Sequence, residues 1–196
     1  MANKDAAFGL RAIGKVGQNR DNQGLSEYSI AASTTSAIFQ NDPVQFLDTG
    51  YIGVADTSTA VLLGSLNGVF YTDASTSKPT WANHLAASNA ATDIVGFVAD
   101  DPYERFEVQS STTLAIADIG KNADIVYAVG SSPNFVSKVE VDTTTGNMTS
   151  AAAQFRVVGI AKDLENSEKS NATTYAANVN VVGIINTHFL KSETGI

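Results

Sequence analysis

The sequence predicts an all-β protein: a single β-barrel or β-sandwich domain behind an extended N-terminal arm, with at most one short helix. Three observations predict it. Apolar runs are short and are separated by Gly, Asn, Asp and Pro turns. Glycines fall inside those runs, at Gly53, Gly96, Gly159 and Gly183, where a small barrel bends or bulges. No segment of fifteen or more residues keeps a helical period.

The arm is expected over residues 1–35, the β domain over 36–190 and a tail over 191–196. In the arm, Gly9, Gly14, Gly17 and Gly24 interrupt every periodicity, and 19–24 is a polar run. Phe8, Leu10, Ile13, Val16, Leu25, Tyr28 and Ile30 are too many apolar residues for a disordered tail. Residues 1–20 carry Lys4, Arg11, Lys15 and Arg20 against Asp5 alone, so the start is basic in an acidic chain.

Val44–Leu47 reads as a strand after the turn Asn41-Asp42-Pro43, and Asp48-Thr49-Gly50 links it to a second strand at 51–55. Runs at 60–64 and 68–71 flank Ser65-Leu66-Asn67, where Asn67-Gly68 is a turn signal. Residues 72–92 read as a polar surface excursion anchored by Trp81. Residues 94–99 form a buried strand ended by Asp100-Asp101-Pro102. Phe106 and Val108 alternate with Arg105, Glu107 and Gln109, as in a half-exposed strand. The short-helix candidate is 112–119, stopping at Gly120. Residues 125–129 form a strand, and Val136, Val139 and Val141 lead into a hairpin loop at 142–147. The strongest strands are 155–160 and 179–185, joined by a polar loop over 162–178.

At 196 residues and 43% hydrophobic, the chain is long enough to bury a core without staples. Zero cysteine excludes a disulfide scaffold, a Cys-based zinc site and a cysteine nucleophile. The net charge of −8 argues against a nucleic-acid binder, which displaces counterions with a basic face. No apolar run reaches membrane-span length, and Met1-Ala2-Asn3-Lys4-Asp5 lacks a signal peptide's apolar stretch. A protein made in the cytoplasm is expected.

Catalytic, metal and cofactor motifs are not found. His84 and His188 lack ligand spacing. Asp100, Asp101, Glu104 and Glu107 could be read as a carboxylate pair or a calcium site, but Asp100-Asp101-Pro102 is first a turn. The loop 142–147 lacks the closing Glu of a calcium loop, and Gly120-Lys121-Asn122 lacks a phosphate loop's upstream glycine. No enzyme is expected: catalytic residues none, metal none, cofactors none.

Three stretches carry a resemblance. They are Phe8-Gly9-Leu10-Arg11 through Asp42-Pro43-Val44; residues 63–71 followed by 94–98; and residues 155–160 through 178–181 to 184–188. In these the chain resembles the capsid decoration (cement) proteins of tailed bacteriophages. The resemblance implies a β-barrel or β-tulip-like domain on the outer capsid surface, bound to the major capsid protein and to itself, with a trimer favoured. It implies a protein that holds neighbouring capsomers together, with no nucleic acid and no membrane as partners. The arm is expected to reach a neighbour through Phe8, Leu10, Arg11, Ile13, Lys15, Val16 and Arg20, basic residues meeting acidic capsid surface and apolar ones filling shallow pockets. The alternatives are a tail, neck or fibre-base protein, or a carbohydrate-binding β module. The latter predicts Trp81, with Tyr71 or Tyr103, exposed on one face.

Overall fold

A computed structural model describes residues 2–17, 24–144, 146–148 and 150–191. The chain is all-β. Its strands, in chain order, are β1 (Arg11–Lys15), β2 (Ser26–Ser29), β3 (Pro43–Phe46), β4 (Ile52–Val54), β5 (Gly64–Thr72), β6 (Pro79–Ala82), β7 (Val95–Ala99) and β8 (Glu104–Gln109), followed by β9 (Leu114–Ala115), β10 (Asn122–Ala123), β11 (Ile125–Val126), β12 (Glu140–Val141), β13 (Phe155–Ile160), β14 (Lys169–Asn171), β15 (Thr174–Tyr175) and β16 (Asn180–Ile185). Two antiparallel sheets dominate. One runs β1-β8-β16-β13-β10; the other runs β2-β7-β5-β3-β4, with β6 also on β5. The strands β14-β15-β9 and β11-β12 form two small sheets. The arrangement is sandwich-like and neither sheet closes into a barrel. In the segment expected to hold a short helix, β9 leads into a single 3-10 turn (Ile116–Asp118), and Gly120 follows at φ +97°.

Each large sheet has its own core. Leu10, Leu62, Phe106, Val108, Phe155 and Val181 belong to the first; Ile30, Ile38, Ile52, Leu66, Val69 and Val98 belong to the second. Tyr127 packs against both. The strands at 155–160 and 180–185 pair as their β-branched content demands. Their register shifts at Val157/Gly159, so the glycine there does mark a bulge.

The boundary expected at residue 35 does not divide the fold. β1 pairs with β8 in the first sheet, and β2 pairs with β7 in the second. The reason lies in β8. Its polar residues Glu107 and Gln109 are buried, not half-exposed as their alternation suggests. Buried polar groups need partners; Arg11 and Asn180 supply them for Glu107, and the first ten residues for Gln109. The Ala6 amide donates to Gln109 Oε1 at 3.0 Å, and Gln109 Nε2 donates to the Lys4 carbonyl at 2.9 Å. Asn3 donates to the carbonyls of Ala176 and Ala177 and accepts from the Glu168 amide. Leu10 then turns inward, and its carbonyl accepts from Ser65 Oγ at 2.6 Å. The expected tail lies, beyond Lys191, outside the described residues.

Asn67-Gly68 is not a turn. β5 runs through it unbroken, and the dipeptide forms a bulge against β7. Leu66 and Val69 both point into the second core, so the two residues between them both face away from it. The excursion at 72–92 contains β6, paired with β5 so that Trp81 stands opposite Phe70. Its anchor is the buried Leu85, bridged to Ile38, rather than Trp81. Pro79 starts β6, a position that needs no ladder donor.

Candidate functional site

The residues expected to form an arm interface divide into three groups. Leu10 is 0% exposed and belongs to the first core. Phe8 and Lys15 are partly buried. Phe8 lies beneath the Arg11 guanidinium at 4.7 Å, and Lys15 pairs with Asp101 at 2.7 Å. That hydrogen bond is the main reason the Lys15 ammonium titrates above its usual range. Arg11 pairs with Glu107 at 2.6 Å while half of its side chain stays exposed. Only Ile13, at 43% exposure, and Val16, at 47%, present apolar surface outward. Ile13 is the extra residue of a bulge in β1, whose far edge pairs with no described strand. Arg20 lies outside the described residues.

A second surface was not legible as a unit in the sequence. Between the two large sheets lies a cavity of about 440 Å³, lined in part by Arg11, Gln40, Asn41, Ser65, Asn67 and Glu104. It opens on the face of β5 and β7 that is turned away from the second core. Along that face the lining residue Asn67 is followed by Gly68, on which the Trp81 ring sits. A Cβ at Gly68 would come within 2.7 Å of Trp81 Cζ2, so glycine is what lets the ring lie down. Ala99 lines the cavity too, and two residues earlier Phe97 holds its ring 4.9 Å from that of Trp81. Trp81 is 55% and Phe70 41% exposed. The aromatic shelf thus adjoins the cavity along one face of β5 and β7.

The aromatic trio expected of a carbohydrate module is only partly assembled. Tyr71 points into the second core, and Tyr103 is exposed elsewhere, on the β7–β8 turn under the Lys191 ammonium at 4.7 Å. Phe70 and Phe97 stand beside Trp81 instead.

The acidic group does not converge. Asp100 accepts from Ser26 Oγ and the Tyr28 hydroxyl at 2.9 and 2.6 Å. Burial pushes Asp101 up, but Lys15 and the Tyr103 amide outweigh it and hold this carboxyl below its usual range. Burial raises Glu104, which accepts from the Gly14 amide at 3.1 Å. Glu107 accepts from Asn180 Nδ2 at 3.2 Å and from Arg11. The loop after β12 is not the expected hairpin tip, because β12 pairs with β11 while β13 pairs with β16 and β10; within it Asp142 accepts from the Thr144 amide and from Asn147 Nδ2. Among the described residues, no group of three or more His, Asp or Glu side chains could hold a metal, and no helix is long and apolar enough to cross a membrane.

Two buried ionisable groups lie at structural seams. Asp42, fully buried, accepts from the Phe39 amide at 2.8 Å, and burial pushes its carboxyl up to about 6. His188 follows β16, and its Nδ1 accepts from the Leu190 amide. Burial, aided by the Lys191 charge, lowers it to about 4. No family model, no curated protein and no solved structure matches the chain.

Proposed function

We propose that this chain is a non-enzymatic structural protein of a virion, a decoration protein on the outside of a phage capsid that ties neighbouring capsomers together as a homo-oligomer. The observation that carries the reading is the outer rim of the first sheet. β1 ends that sheet, and Ile13 within it and Val16 just after it are exposed apolar residues beside the cationic Arg11. An open strand edge with apolar side chains is a natural place for a second protein surface to add. The contact is made by this rim rather than by a free arm, because Leu10 and Lys15 are engaged within their own chain.

Quantitative mass spectrometry of purified virions, scaled to the major capsid protein, tests this. A copy ratio near one or a simple fraction of it is expected. A handful of copies per particle would move the protein to the tail, neck or fibre base. Complete absence would overturn the virion reading.

A further inference from the structure

The geometry points to a saccharide-binding site in the groove that joins the inter-sheet cavity to the Trp81 shelf. The occupant is a neutral oligosaccharide, one pyranose ring lying on Trp81 and the next reaching the cavity's amides. Three features on different elements converge on this. The first is volume: a cavity of about 440 Å³ suits one or two sugar rings. The second is the shelf. Trp81 and the adjacent Phe70 form an exposed apolar patch backed by Phe97, the kind of surface that marks a binding site, and the flat apolar face of the indole matches the C–H face of a pyranose. β6 holds Trp81 opposite Phe70, Gly68 lets the indole lie flat, and Phe97 fixes its edge.

The third is the chemistry of the lining. Sugar hydroxyls both donate and accept, and so do carboxamides and serine hydroxyls. Gln40, Asn41, Asn67 and Ser65 are of this kind. Gln40 and Asn67 are already in one hydrogen-bonded chain, with Gln40 Nε2 donating to Asn67 Oδ1 at 3.4 Å and Asn83 Nδ2 donating to Gln40 Oε1 at 3.5 Å. These long bonds are replaceable by better ones to a ligand. The charged members of the lining are one cation and one carboxylate, Arg11 paired with Glu107 and Glu104 accepting from the Gly14 amide, so neither sign dominates it. A neutral ligand therefore suits the site better than an anion. The β5 bulge makes the shelf adjoin the cavity, since it turns Asn67 and Gly68 outward together, one toward the cavity and the next under the ring.

The site does not rest on the capsid reading, and it shares neither Ile13 nor Val16. Trp81 is the chain's only tryptophan, so its emission reports on the groove directly. The full chain is titrated with cellohexaose, maltohexaose and N-acetylchitohexaose, and is also applied to a glycan array. At least one neutral oligosaccharide is expected to shift Trp81 emission saturably. By calorimetry, Trp81→Ala should weaken that binding about tenfold or more and Asn67→Ala about fivefold, both with unchanged circular dichroism. The double variant Ile13→Asp, Val16→Asp should bind sugar as wild type does. The proposal is overturned if no array glycan or titrated sugar binds, or if binding survives both groove variants. It is also overturned if Trp81 emission shifts with protein concentration alone, which would make the shelf a contact between copies of the chain.

Discussion

The imidazole of His84 lies flat on the ring of Phe135, with centroids 3.9 Å apart and planes 5° from parallel. Phe39 stacks at 6.1 Å and 10° from the same imidazole. Asn83 Nδ2, one residue away, donates to the Asn134 carbonyl at 3.1 Å. His84 thus fastens the loop between β11 and β12 to the second core, and burial keeps it neutral below its usual range. His84→Ala should cost about 1–3 kcal/mol in urea unfolding. His84→Phe should recover most of it, because ring area rather than the nitrogens makes the contact.

Asp42 and His188 should bend the stability curve in opposite directions. Asp42 titrates near 6 folded against 3.8 as a free carboxyl, so the folded state holds its proton more tightly. Its contribution is lost as pH rises from about 4 to about 6. His188 titrates near 4 folded against 6.5 free, so its contribution is lost as pH falls from 6.5 to about 4. Each amounts to about 3 kcal/mol. Denaturation of Asp42→Asn should therefore show a stability gain at pH 7 that shrinks toward pH 4. His188→Gln should remove the acid-side loss. Wild type should be flatter between pH 4 and 6.5 than either variant.

The N-terminal segment should split by position. Leu10→Ala empties a fully buried site and should cost about 2–5 kcal/mol. Ile13→Asp and Val16→Asp touch exposed positions and should change stability by less than about 0.5 kcal/mol each. On the capsid reading these two abolish particle binding while the fold stays intact. Deleting residues 1–30 cannot test that reading, because it removes β1, β2 and Leu10 together.

Gly68→Ala should disturb Trp81 without abolishing the fold. The added methyl meets the indole at 2.7 Å and the Ala82 carbonyl at 3.0 Å. A changed emission spectrum with a loss of about 1–3 kcal/mol is the expected pair of readings.

Elements with strong local chemistry were legible in the sequence. The hairpin through Asp48-Thr49-Gly50 forms as written, with Gly50 at φ +82°. The strands at 155–160 and 180–185 also stand where their apolar content put them. What failed depended on distant partners. Asn67-Gly68 carries a turn's residues, but β7 pairs with β5 on both sides of it and β6 pairs from Val69 onward, so the strand continues through it. Glu107 and Gln109 look like a solvent face, and only the presence of Ala6, Lys4 and Asn180 makes them interior. The groove was hidden for the same reason. Trp81 was visible alone, but Gly68 and Phe97 beside it and the cavity's Gln40 and Asn67 come from separate strands and a loop.

β8 lies between a strand from residues 11–15 and one from residues 180–185. During synthesis, residues 2–17 leave the ribosome early with one side of their sheet still unmade. β8 stays open along one edge until β16 has emerged. Such non-local pairing slows folding, and an unpaired edge invites wrong pairing in the interval. Refolding from denaturant should accordingly be slow and concentration-sensitive, and a chain stopped before residue 180 should not hold its first sheet at all.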